Sequence, residues 1–226
     1  MKKPVVDYRK FRPSKLNDPE FSHLKLLFGW VGYFCLYFLT ERLIDPNNCH
    51  LIHSKLDDMI PFCEWFVIPY VSWYLLIVAS LLYFALYDID AFKKLQTYII
   101  ITQVVAMAIY IIYPNRQPLR PDLDTLGRDN LLIRGVNILY EFDTDTNVFP
   151  SLHVGYSLGI ASTWIRKRDA SAWLKVLISV FVLVICASIT FVKQHSILDA
   201  FGAIPVCLLA EYLTFYFFPK RKKATS

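Results

Sequence analysis

Long apolar runs separated by short polar segments dominate this chain. Six of them are predicted to form membrane-crossing helices: about Leu24–Leu43, Phe62–Tyr87, Leu95–Tyr113, Pro150–Ile165, Ala172–Val192 and Ser196–Phe218. Most approach the roughly 20 residues that a helix needs to cross bilayer hydrocarbon. Pro69 reads as a tolerated kink in the second run, and Pro150 as the first helical residue of the fourth. The polar segments are short, with one exception. Ile44–Pro61 holds Asn47, Asn48, His50, His53, Asp57 and Asp58, Lys93 and Lys94 precede the third run, and Arg166-Lys167-Arg168-Asp169 follows the fourth. The exception, Pro114–Phe149, carries Arg116, Arg120, Arg128 and Arg134 among several acids. A structureless loop of that length in a compact bundle is usually functional.

Composition sharpens this picture. Of the 226 residues, 55% are hydrophobic, 16% aromatic and only 19% charged, against a charged share of about 25% in soluble domains. The fold class expected is an all-α, polytopic membrane helix bundle of about six transmembrane helices. It occupies residues 24–218, between basic tails at 1–23 and 219–226, with no separate soluble domain and no cleavable signal peptide. The net charge of +5 sits in tails and short loops, so topology explains it better than a nucleic-acid partner. The N-terminal tail is read as a topology signal ahead of a patch for anionic lipid.

By the positive-inside rule the tails, the Lys93-Lys94 loop and the Arg166–Arg168 loop are cytoplasmic. The long loop, Pro150–His153 and Lys193–Asp199 then share the extracytoplasmic face of a multi-pass protein of the cell membrane, or of an internal membrane in a eukaryote. Cys49 and Cys63 share one loop and could pair if that loop lies outside the cytoplasm. The other three cysteines lie in apolar segments without zinc-ligand spacing. His50 and His53 are read as solvated loop histidines.

The chemistry gathers on that face. His195 and Asp199 are four apart, so a helix starting there stacks them, and the carboxylate can orient the ring while one nitrogen stays free. Lys193 precedes them. A second histidine, His153, opens another run in Phe149-Pro150-Ser151-Leu152-His153. Arginine and lysine near a helix N-terminus suit a phosphate, and no acidic cluster has metal spacing. The inventory fits metal-free phosphoryl transfer, with no cofactor, in which one histidine attacks and the other protonates the leaving oxygen.

At these residues the chain resembles the type 2 phosphatidic acid phosphatase superfamily, which carries the motifs KxxxxxxRP, PSGH and SRxxxxxHxxxD. Arg120-Pro121 is similar to the end of the first motif, with Tyr113 where its lysine stands. Pro150-Ser151-Leu152-His153 matches the second with Leu152 for glycine, and Ser188, His195 and Asp199 match the third with Ile189 for arginine. These departures resemble the branch containing inositol phosphorylceramide synthases, as do Asp57, Ile60-Pro61-Phe62, Tyr70 and Trp73. The resemblance implies His195 as nucleophile, Asp199 as its orienting carboxylate and His153 as general acid and base. It implies Arg120, Lys193 and Ser151 as phosphate ligands, with Arg116 standing in for the absent lysine.

The leading expectation is a phosphoesterase acting on a lipid phosphate or diphosphate, with membrane lipids as its surroundings. Its nearest rival is a phosphotransferase passing the group to a lipid or inositol-type hydroxyl. A non-catalytic lipid-binding or transport protein is a third reading, disfavoured because both histidines and the aspartate are present. Sequence leaves the particular lipid and the oligomeric state open.

Overall fold

The computed structural model describes residues 3–219. Among them are eight α-helices: α1 (Phe28–Leu43), α2 (Lys55–Met59), α3 (Val67–Tyr87), α4 (Ile89–Ile112), α5 (Leu131–Phe142), α6 (Leu152–Arg166), α7 (Ala172–Phe191) and α8 (Ile197–Tyr212). A 3-10 segment, Ser22–Leu27, leads into α1, and a π-helical turn, Leu213–Phe217, extends α8. Two short strands, β1 (His50–Leu51) and β2 (Asn115–Arg116), pair in parallel.

The chain is an all-α membrane bundle. Five helical stretches are long and apolar enough to cross a bilayer: Ser22–Leu43, Glu64–Tyr87, Ile89–Ile112, Ala172–Phe191 and Ile197–Phe217. The sixth expected span is α6, whose 15 residues extend about 22 Å, short of the ~30 Å of hydrocarbon. It takes the centre instead, packed on α3, α4, α7 and α8, with 11 of its 15 residues buried. A helix walled by other helices has no lipid to match in length. It still follows α3 from end to end: His153 packs on Tyr70 (ring centroids 4.2 Å) and Trp164 on Phe84 (4.7 Å).

Several element limits differ from the sequence expectation, each for a local reason. Asp88 caps α4 by accepting the Ala91 N–H (3.0 Å), so α4 starts at Ile89 and Lys93 and Lys94 lie in its first turns, not in a loop. Pro69 falls in the first turn of α3, where a missing N–H costs nothing, and makes no mid-span kink. Pro150 precedes α6; Ser151 is the cap, its Oγ accepting the Val154 N–H (3.4 Å). The long loop contains α5. Asn130 Oδ1 caps that helix by accepting the N–H groups of Leu132 (2.9 Å) and Ile133 (3.0 Å). Its Ile133, Val136 and Leu139 are buried, while Leu131, Ile138 and Phe142 are exposed. Cys49 and Cys63 are free thiols.

The end of the bundle away from His153 is closed by its own polar network. Val5 N–H and Tyr8 O–H donate to the carbonyls of Leu86 and Ala85 (both 2.8 Å), and Phe21 and His23 are buried there. Lys167 Nζ bridges Asp88 (2.7 Å) and Asp169 (2.8 Å). Glu211, half-buried, pairs with Arg166 and accepts the Ser162 O–H (2.7 Å). Lys220–Lys223 lie outside the described residues.

Candidate active site

The turn between α7 and α8 sets the site. Ile189 carbonyl accepts the N–H groups of both Gln194 (3.1 Å) and His195 (3.0 Å). Lys193 adopts φ 54°, a left-handed conformation that a side-chain-bearing residue takes only when its surroundings impose it. Here they do. Lys193 Nζ donates to the carbonyls of Asp57 (2.6 Å) and Ile60 (2.5 Å), and its own carbonyl accepts the Gln117 Nε2–H (3.0 Å). Ser196 then caps α8 in a reciprocal box: its Oγ accepts the Leu198 N–H (3.1 Å), and Asp199 Oδ2 accepts the Ser196 N–H (3.0 Å).

His195 Nδ1 lies 3.1 Å from both Val148 O and Asp199 Oδ2. Both partners are acceptors, so Nδ1 carries the proton and Nε2 keeps its lone pair. His153, in the first turn of α6, is held between the rings of Tyr70 (4.2 Å) and Trp73 (4.0 Å). Its Nε2 is buried without a protein partner. The two imidazole centroids are 5.6 Å apart at 64°.

One backbone bond joins the two histidine segments, and the Asn115 side chain holds the residues before Pro150. Ser151 N–H donates to Asp199 O (3.0 Å), and Asn115 Oδ1 accepts the N–H groups of Val148 (2.9 Å) and Phe149 (2.8 Å). His153, His195 and Asp199 are therefore brought to one place, as expected from sequence.

Both histidines line a cavity of about 740 Å³ bounded by α1, α3, α5 and α6. Its polar end is formed by the two imidazoles, Asp143, Gln194, Thr146 and Asn147; its long walls are aromatic and aliphatic, from Tyr33 and Trp73 to Leu81. Asp143 Oδ2 accepts the Tyr70 O–H (2.5 Å). Burial pushes the Asp143 carboxyl above its ordinary range, against the Tyr70 hydrogen bond and the charge of Arg120.

The four expected phosphate ligands are placed differently: none lines the cavity. Arg120 donates to the carbonyls of Tyr140 (3.0 Å) and Asp143 and to Gln194 Oε1 (2.8 Å), and its guanidinium lies 4.4 Å over the Tyr140 ring. Lys193 is spent on carbonyls, and burial lowers its ammonium pKa against the pull of Asp57 and Asp58. Arg116 belongs to β2 and bridges Thr146 through the backbone. Ser151 is a buried helix cap. These residues build the wall behind the imidazoles.

Sequence reasoning assigned no role to Asp143, Gln194 or Glu41. Glu41 accepts from Thr144 (2.8 Å), Thr146 (2.9 Å) and Asn147 (2.5 Å), fastening α1 to the loop over the site. A carboxylate at the end of an otherwise apolar run was the signal available for it. Tyr70 and Trp73, singled out in sequence by the resemblance alone, hold the His153 ring between them.

Comparison with the curated proteins and with the solved structures returned no match. A family profile described as the PAP2 superfamily matches residues 48–213. That stretch contains both imidazoles, Asp199 and the turn that holds them, and the chain belongs to the PAP2 superfamily.

Proposed function

We propose that this chain is an integral-membrane enzyme that cleaves the phosphoester of a lipid phosphate or diphosphate through a phosphohistidine, without a metal. The observation behind the reading is the 5.6 Å approach of the His153 and His195 rings at the polar end of an apolar cavity. His195 Nε2 attacks phosphorus; the N–P bond forms as the P–O bond to the leaving group breaks. His153 gives its proton to the departing alkoxide and later takes one from water. The water oxygen bonds to phosphorus, the P–N bond breaks, and His195 returns to its starting state. Asp199, bonded to Nδ1–H (3.1 Å), fixes the tautomer and stabilises the positive charge that develops on the ring.

Phosphate oxygens meet the amides that open α6, where the helix dipole favours an anion. Arg120 and Lys193 act from behind the wall, adding positive potential rather than direct bonds. The distribution of basic residues supports an extracytoplasmic site and cytoplasmic termini.

Phosphotransfer to a lipid or inositol-type hydroxyl is the second reading, and one observation favours it. Among the described residues lining the cavity there is no lysine or arginine, which suits a singly charged phosphodiester better than a doubly charged monoester.

Purified protein given lipid labelled at phosphorus tests both. His195→Ala and His153→Ala should each abolish turnover; either variant working at the wild-type rate overturns the assignment. Free labelled phosphate formed without any acceptor marks the hydrolase, and label recovered in a second lipid marks the transferase.

A further inference from the structure

The cavity that both histidines line holds one carboxylate and several electron-rich rings, and among the described residues no lysine or arginine lines it. Asp143 supplies the carboxylate. The nearest cations face elsewhere: Arg120 and Lys193 are bonded to carbonyl and amide oxygens. A doubly charged phosphate entering here would meet Asp143 at the same polar end and, among the described lining residues, no lysine or arginine to offset it.

The other walls are aromatic. Tyr33 and Tyr37 on α1 stand 5.8 Å apart, Trp73 and Tyr74 on α3 stand 4.9 Å apart, and all four line the cavity. Asp143 lines the same cavity as all four rings, its Oδ2 held by the Tyr70 O–H (2.5 Å). Asn147 Oδ1, on a residue only 5% exposed, is a buried acceptor without a partner, and Asn147 lines the same cavity. A carboxylate and an idle acceptor among π faces make an environment for an ammonium group.

We propose that this chamber binds a positively charged amine, the choline- or ethanolamine-type ammonium of a zwitterionic phospholipid, so that the phosphorus presented to His195 is a phosphodiester. The proposal rests on the assignment of His195 and His153 above. It balances charge: one phosphodiester anion beside the imidazoles, one ammonium beside Asp143. It also fits the shape, because the α3 wall from Trp73 to Leu81 runs about 12 Å along an apolar groove for acyl chain.

The test is equilibrium binding to the full chain in detergent micelles, carrying His195→Ala so that turnover does not consume the probes. Dihexanoyl-phosphatidylcholine, dihexanoyl-phosphatidate and free choline are compared. The choline lipid should bind about tenfold tighter than phosphatidate, a difference of the size expected from a cation against rings and a carboxylate. Asp143→Asn, whose amide oxygen can still accept the Tyr70 bond, and separately Tyr74→Leu should each erase most of that preference. Equal or reversed affinities, or a preference unchanged in both variants, would overturn the proposal. Free choline binding as tightly as the lipid would keep an ammonium site and overturn its assignment to a lipid head group. Turnover of the same lipids by the protein with His195 intact separates the two ideas. A choline preference without His195-dependent cleavage leaves the amine site and removes the catalytic reading; cleavage of phosphatidate without a choline preference does the reverse.

Discussion

Asp57 and Asp199 grip the same serine from two parts of the chain. Asp57 Oδ2 accepts the Ser196 O–H (2.6 Å) and its Oδ1 the Ile197 N–H (2.8 Å), while Asp199 Oδ2 accepts the Ser196 N–H (3.0 Å). Asp57 also closes the capping box of α2 by accepting the Ser54 N–H (2.8 Å). The start of α8, and with it the His195–Asp199 pair, is thus keyed to α2, some 140 residues upstream.

Asp57→Ala is expected to leave buried donors unsatisfied, at about 1–3 kcal/mol each before relaxation, and to lower both the unfolding midpoint and kcat. Asp57→Asn keeps one oxygen acceptor but loses the charge and turns the other oxygen into an N–H donor facing donors. Its kcat should fall on the order of 100-fold, as for a modest misplacement of a reacting group, with KM for lipid changed far less. A wild-type kcat in Asp57→Asn would show that this carboxylate does not position His195.

Gly202 is a packing constraint on the same elements. A Cβ there would overlap the ring of Phe149, the residue two before Ser151. Gly202→Ala should therefore cost about 1–3 kcal/mol as overpacking and push the His153 segment away from α8. Thermal unfolding in detergent and turnover should both fall; a variant equal to wild type in both would show that the Phe149 side chain yields freely.

The parts legible in sequence were those written in local pattern. Hydropathy marked the bundle, and the four-residue spacing of His195 and Asp199 described a real hydrogen bond. Ile133, Val136 and Leu139 at helical spacing after Asn130 also spelled out α5, yet the surrounding charges read as loop. What stayed hidden depends on side-chain direction. Lys193 and Arg120 looked like phosphate ligands because residue type and neighbourhood suggested it, but each turns to carbonyls left open by turns that only the tertiary fold creates. Asp143 and Glu41 gave no motif, because their partners lie at Tyr70 and at Thr144–Asn147, distant from them in sequence or on another element. The short length of α6 was equally ambiguous: a buried central helix and a lipid-facing span share one composition.

Lys193 offers a direct discrimination between anchoring and phosphate binding. Lys193→Met removes the donor to Asp57 O and Ile60 O, orphaning two carbonyls at about 1–3 kcal/mol apiece, partly offset by no longer burying an ammonium. The unfolding midpoint should drop by about 4–8 °C, given some 2–4 °C per kcal/mol at this chain length. Inhibition by inorganic phosphate reads the other role. A large loss of phosphate inhibition at an unchanged midpoint would make Lys193 a ligand instead.

Asp143 gives a pH signature with a fixed sign. Its carboxyl is raised from 3.8 by burial, with Glu41 adding to the effect and Tyr70 and Arg120 opposing it. The folded chain therefore holds this proton to higher pH than the unfolded chain does. The associated stability is fully present below the unfolded value and is lost as pH rises through the folded one. Asp143→Asn has no such proton to lose. The midpoint of Asp143→Asn minus that of wild type should accordingly increase as pH rises from the ordinary carboxyl value of 3.8. Differential scanning of the two proteins in the same detergent measures it, and a flat or falling difference would mean that Asp143 ionises in the folded chain as readily as in the unfolded one.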